Sequence, residues 1–598
     1  MTKQLPKRNE VAVKDTWDLS SLFADDRAWQ TEFELLEQEI DLLGYYKGRL
    51  KESSSMLFEA LETASDLRRR LERLLVYAQQ SLDTDTANSY YQKMYGRVQN
   101  LDVKMTSAAA YMEPEILAIP EDRLEEYKKS FSSSYIRFIE NITRQREHML
   151  SAEMEEMLSK VREFSDGASE IFSMFHNADI KFGAVINEEG EEIELTHGRY
   201  GRFLESSNRD VRKQAFQKLY ASYQNFENTL AATYQTNLKA TCFYAKVKKY
   251  RSSREASLDK SNIPLEVYDN LLDAVHQNLP LLHRYAALRK KLLGVEELHL
   301  YDLYTPIVAD MDKKYSFEEA KELVRKALKP MGEEYLSILE KGFSERWIDI
   351  YENQGKRSGA YSFGSYDSNP YVLLNYNQSL KSVFTLAHEM GHSIHSYYSN
   401  KNQDYINSQY QLFVAEVAST CNESLLIHSL LEDCTNNRER AYLLNYFMEE
   451  FRGTVFRQTM FAEFEKQVHE MVENGEALNA EELKELYHRL NQEYFGDAVI
   501  IDREIDMEWA RIPHFYNDFY VYQYATGFSA AIALSKRILE QGETAVEDYK
   551  KFLKGGCSRY PIELLKAAGV DMTTSAPVKA ALQMFEELLN EFERLMEE

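Results

Sequence analysis

Cysteine is almost missing: four in 598 residues, Cys242, Cys421, Cys434 and Cys557, with no Cys-x-x-Cys pair. This spacing excludes a disulfide framework and a thiolate metal site. Proline (11) and glycine (23) are also sparse, and so few breakers favour helix. No stretch reaches the roughly 18 uninterrupted apolar residues of a membrane span. The opening run MTKQLPKRNEVAVKDTW has positive charge but no apolar segment behind it, so no secretory signal is expected. A cytoplasmic address without a membrane partner follows by default. Positive charge is in deficit, with 71 Lys and Arg against 97 Asp and Glu, a net charge of -26. Such a surface repels nucleic-acid phosphates, so no nucleic-acid partner is expected.

What is present belongs to a globular chain, 44% hydrophobic and 28% charged. Its length implies several domains or one multi-lobed body. From about Trp29 to Arg162 apolar residues recur at helical spacing. Leu35, Leu36, Ile40, Leu42 and Leu43, then Leu57, Leu61, Leu67, Leu71 and Leu75, are read as core. Residues 179–197 hold two β-leaning stretches around Asn-Glu-Glu-Gly, a hairpin pattern. Helix resumes near Asp210, and Ser261 to Pro264 reads as a turn into another helix. Residues 351–376, rich in Tyr, Ser, Gly and Asn, read as a small sheet, and helix dominates from Leu380 onward. The expectation is a mainly α fold, divided into an N-terminal helical lobe with a terminal β-hairpin (1–200) and a catalytic region (201–598).

The chemistry centres on His388-Glu389-Met390-Gly391-His392. Two histidines four apart on a helix project from one face, and neutral imidazole nitrogens are natural zinc ligands. Glu389, beside the first of them, can reach a water at the metal, the mechanical content of an HExxH motif. Ser379 or Asn377 can cap the helix start. A catalytic zinc needs a third protein ligand and one open position. Glu416, set among Phe413, Val414, Val417 and Ala418, is the candidate, because a carboxylate in apolar company should be paired or metal-bound. Glu423, two helical turns on, can orient a ligand histidine. His395 is assigned a structural role. The ordinary alternatives are surface histidines and solvated glutamates.

The runs Pro370 to Tyr376, Thr385 to His395 and Phe413 to Thr420 resemble the thimet oligopeptidase superfamily. Trp509 to Tyr516, Phe519 to Gly527 and Tyr560 to Met572 are similar to its oligoendopeptidase F branch. The resemblance runs in order from about Ser358 to the C-terminal part, with one small departure at Cys557, where a small hydroxyl residue is expected. It implies a mainly helical, two-lobed zincin-type metallopeptidase with a small β-sheet beside the active-site helix and a deep substrate channel. It also implies one Zn²⁺ per chain and oligopeptide substrates cut internally. A His and one or two Tyr of the 514–524 loop would stabilise the tetrahedral intermediate; His514 matches, followed by Tyr520 and Tyr524.

For substrate holding, Tyr371 to Asn375, including Tyr371 and Leu373, is read as an exposed edge strand whose free N–H and C=O groups pair with an extended peptide. Gly359 and Ala360 would let that peptide approach closely. Two other functions stay open. One is an end-trimming dipeptidyl carboxypeptidase, which needs an anchor for a terminal carboxylate. The other is a non-catalytic peptide-binding protein, which has no need of the base Glu389.

Overall fold

A computed structural model describes residues 4–308 and 313–597. Helices dominate, and the only regular sheets among the described residues are a two-stranded and a three-stranded one. The chain forms two compact units, each assembled from three stretches: residues 1–147, 313–430 and 534–570, and residues 148–312, 431–533 and 571–598. The sequence reading divides the chain once, near residue 200. The chain itself crosses between the units at five places, and which distant stretches pack together is not written in local periodicity.

In the first unit, the helices Asp26–Glu39, Ser54–Asp83 and Ser89–Ala109 bury one apolar stripe each. Asp25, Ser53 and Asn88 cap their starts by accepting backbone N–H bonds. Leu36, Ile40, Leu43, Leu67, Leu71 and Leu74 pack with Trp17, Trp29 and Phe33 into one core. Each fully buried leucine contributes roughly 1.5–3 kcal/mol. Two residues of the expected stripe, Leu35 and Leu42, are exposed, since they fall on the outer face of the turn.

That core continues into the sheet through Tyr371 and Leu373. The hairpin predicted at 179–197 is β1 (Ala184–Ile186) paired antiparallel with β2 (Glu192–Glu194), in the second unit. The three-stranded sheet comprises β3 (Ile348–Asp349), β4 (Tyr361–Phe363) and β5 (Tyr371–Leu373) in the order β3-β5-β4. The expected edge strand is therefore a central one. β5 pairs parallel with β3 and antiparallel with β4, and Tyr371, Val372 and Leu373 are wholly buried. Its backbone groups are spent on its neighbours, and the Tyr371 hydroxyl donates to the Asp18 carbonyl. The two edges flanking β5 belong to β3 and β4. Asp349 on β3 is buried with its charge matched by buried Lys356 at 2.7 Å and by Arg8, the pairing a buried carboxylate requires.

In the second unit the helices Arg209–Gln224, Glu227–Val247, Arg457–Glu473 and Ala480–Phe495 surround a core rich in tyrosine and phenylalanine. The predicted turn at 261–264 leads into the helix Leu265–Gln277, with Asn262 in the left-handed region at φ 51°.

Candidate metal centre

The helix Leu380–Asn402 carries the HExxH residues. Ser379 caps it, accepting the Ser382 N–H, and Asn377 accepts the hydroxyls of both serines. Its inner face buries Val383, Phe384, Leu386, Ala387, Met390 and Ile394, and Ser393 bonds Ser362 of β4 at 2.8 Å. The helix Leu412–Asp433 supplies Glu416 and Glu423.

These two helices touch at Gly391. A Cβ there would lie 2.6 Å from the Ser419 Cα and 2.8 Å from the Ala418 carbonyl oxygen, inside any van der Waals contact. The missing side chain lets the helices close until Glu416 reaches the histidines. A second tie crosses nearby: Asn422 donates to the Ala387 carbonyl at 3.1 Å and accepts from the Tyr335 hydroxyl at 2.8 Å. Sequence reading missed Gly391, Asn422 and Tyr335. A glycine inside a helix was the one signal available for the first of them. Gly391→Ala is expected to cost about 1–3 kcal/mol by overpacking and to lower metal affinity by parting the ligand helices. Thermal melting and metal titration of the variant check both effects.

The three predicted ligand atoms converge. His388 Nε2 and His392 Nε2 are 3.2 Å apart, and Glu416 Oε2 lies 3.3 and 3.4 Å from them. A tetrahedron with metal–ligand bonds of about 2.1 Å has edges of about 3.4 Å. The donor set therefore fits zinc in size and chemistry. His388 Nδ1 faces Glu423 Oε1 at 3.3 Å, which orients the ring so that Nε2 faces His392 and Glu416. Ser419 lies 3.1 Å from Glu416 Oε2 and can donate to it.

The charges in the site pair with one another. Burial opposes ionisation of Glu416, but the His388 and His392 imidazoles overcome it and hold the carboxyl well below the usual carboxylate range. Burial also opposes charge on His388, while Glu423 and Glu416 pull its pKa well above the ordinary value. Glu389 is 6% exposed; burial pushes its carboxyl up, against the pull of the two imidazoles. His395 is buried and stacked on Tyr410 at 3.8 Å, so its role is packing. Tyr410 bonds Ser396 at 2.9 Å.

Gly359 and Ala360 lead into β4 and line a hollow of about 310 Å³ with Asn375, Asn377 and Thr385. Thr385 is one turn before Glu389 on the ligand helix. Gly359 has φ 85°, a conformation in which a side chain is strained, and its carbonyl accepts from Asn375. Tyr371 and Leu373 lie in the closed strand β5 and offer nothing to a peptide.

In the second unit, the three predicted loop residues form one cluster. The Tyr524 hydroxyl is 3.3 Å from His514 Nε2. Tyr520 stacks parallel to His514 at 5.7 Å and edge-on to Tyr524 at 5.4 Å. Burial and the nearby Arg457 lower the His514 pKa. Tyr522, by contrast, is buried against Tyr268, and Tyr516 stacks on Phe172. The loop is clamped from behind. Phe519, at φ 57°, donates its N–H to buried Glu465 at 2.6 Å, and Asp518 accepts from Asn237 and Thr241. Glu465, His469 and Asp518 also group closely enough to hold a cation, but the Glu465 and Asp518 carboxylates already serve this clamp.

Comparison with known proteins places this geometry. The model of peptidase family M3 matches residues 202–584, and that of oligopeptidase F matches residues 115–182. Oligopeptidase PepF of Bacillus subtilis is 50% identical over 99% of this chain and 89% of its own length. The solved oligoendopeptidase-F of Enterococcus faecium superposes with a TM-score of 0.76 at 42% identity, covering 96% of this chain and 99% of that one. A candidate peptidase from Chlamydophila abortus gives a TM-score of 0.91 at 35% identity, covering 99% and 100%. No described helix is long and apolar enough to cross a membrane. With an HExxH helix, a carboxylate on the helix packed against it and full-length similarity to oligopeptidases, the chain belongs to peptidase family M3, in its oligopeptidase F branch, and is a metallo-oligopeptidase.

Proposed function

We propose that this chain is a zinc-dependent endopeptidase that hydrolyses internal bonds of short, unfolded oligopeptides. One observation carries the reading: His388 Nε2, His392 Nε2 and Glu416 Oε2 stand 3.2–3.4 Å from one another, the spacing of three corners of a zinc tetrahedron. His388, His392 and Glu416 hold one zinc ion, and Glu423 orients His388. Bound there, zinc supplies Lewis acidity toward a water molecule and the scissile carbonyl. Glu389 accepts the proton of the attacking water and delivers it to the leaving amine. His514, with Tyr520 and Tyr524, donates hydrogen bonds to the oxyanion that develops. Gly359 and Ala360 pass the substrate backbone along the edge at β4, where pairing with main-chain groups tolerates varied side chains. The cytoplasmic address belongs to the same proposal and is supported by four free cysteines.

The test is incubation with unstructured peptides of graded length and one folded protein, with and without a chelator, products being read by mass. Internal cuts in the short peptides only, lost with chelator and restored by zinc, are expected. Cleavage that survives complete metal removal contradicts the proposal.

A further inference from the structure

The hollow at the start of the ligand helix holds a charge that the proposed reaction does not use. Lys381 and Thr385 line it from the helix Leu380–Asn402, together with Gly359, Ala360 and Asn375. All of these residues belong to the first unit, as do His388, His392 and Glu416, so one compact body carries both the hollow and the ligand triad.

Helix geometry sets the distance between the hollow and the chemistry. Lys381, Thr385 and Glu389 follow one another at spacings of four, which places them along one face. At 1.5 Å per residue, Thr385 lies about 6 Å and Lys381 about 12 Å along the axis from Glu389. An extended chain advances about 3.3 Å per residue, so a side chain roughly two to four residues from the reacting bond reaches the hollow.

Most polar groups there are engaged with one another. Asn377 Oδ1 accepts the hydroxyls of Ser379 and Ser382. The Thr385 hydroxyl donates to the Lys381 carbonyl at 2.9 Å, and Asn375 donates to the carbonyls of Arg357 and Gly359. The exposed Lys381 ammonium differs: among the described residues it forms no hydrogen bond and no ion pair. No described carboxylate lines the hollow, so Lys381 is the one charge in its wall. In a chain with 97 acidic residues against 71 basic ones, a lysine left without an acid is out of the ordinary. Its position adds to this. Lys381 stands in the first turn of its helix, which contains no acidic residue, and a cation there opposes the helix dipole. A local rule broken without a compensating contact marks a place where function sets the residue.

We infer that the hollow is a subsite for an acidic side chain of the peptide substrate, Glu or Asp, with Lys381 as the residue that selects it. The inference rests on the peptidase reading above and adds to it a charge preference at an internal position of the peptide. At about 310 Å³ the hollow does not sort side chains of similar size, so charge does the selecting. An exposed ion pair changes affinity by about two- to fivefold, and added salt screens it.

The test uses peptides blocked at both ends, so that no terminal charge takes part. They differ only in Glu, Gln or Lys, placed in turn at each of the four positions on either side of one cut bond, with products read by mass. On the wild-type enzyme at low ionic strength, kcat/KM is expected to be about two- to fivefold higher for Glu than for Gln at one or two neighbouring positions, and lower again for Lys. In about 1 M salt, where the screening length is about 3 Å, the three should converge. Lys381→Glu is expected to invert the order, with Lys favoured over Gln, and Lys381→Met to level it. Each comparison is made between substrates on one preparation, so loss of folded protein does not imitate an inversion. Equal kcat/KM for Glu and Gln at every position on the wild type, or an order unchanged in both variants, overturns the inference. Failure of the wild type to cut any of the blocked peptides overturns the endopeptidase reading on which the subsite rests.

Discussion

Glu389→Gln is expected to lower kcat by about 10³-fold or more, near the upper range for loss of a positioned general base, while one zinc per chain is retained. The amide has the shape of the carboxylate but cannot take a proton from water. Glu389 lies between the two ligand histidines in sequence, yet it donates no ligand atom to the converging triad of His388, His392 and Glu416, so metal retention and turnover should separate. Burial lifts its carboxyl above the ordinary carboxylate value. Turnover of a fluorogenic peptide alongside zinc content by mass spectrometry measures both. Undiminished turnover contradicts the assignment, and loss of zinc together with turnover would give Glu389 a structural part.

Glu416→Gln has the opposite signature. The carboxylate is held anionic by His388 and His392, and the amide that replaces it carries no charge to offer a divalent cation. Removing a partner of a metal ligand costs 10–100-fold in affinity, so removing a ligand should cost on the order of 10²-fold or more. The variant should lose zinc on dialysis against a competing chelator at concentrations the wild type withstands, and excess zinc should partly restore cleavage. Equal retention by the two proteins argues against ligation by Glu416.

How far the sequence reaches depends on how local each feature is. The histidine pair was legible because spacing by four on a helix determines a shared face, and Glu416 because charge among Phe413, Val414, Val417 and Ala418 demands a partner. The β1–β2 hairpin needed only its own turn. The place of β5 in its sheet did not follow in the same way. Alternation and composition identify a strand, but Tyr371–Leu373 became central through pairing with Ile348–Asp349 and Tyr361–Phe363. Those registers depend on chain segments about 10 and 24 residues away. The role of Gly391 depends on the helix bearing Ser419 packed against it, which no local pattern specifies.

The most direct measurement is an anomalous-scattering map at the zinc edge from crystals of the zinc-loaded protein. The account predicts one strong peak about 2 Å from His388 Nε2, His392 Nε2 and a Glu416 oxygen, with the fourth position left to solvent. A zinc peak at Glu465, His469 and Asp518 with none at the histidine pair, or Glu416 turned away from a bound ion, would contradict it.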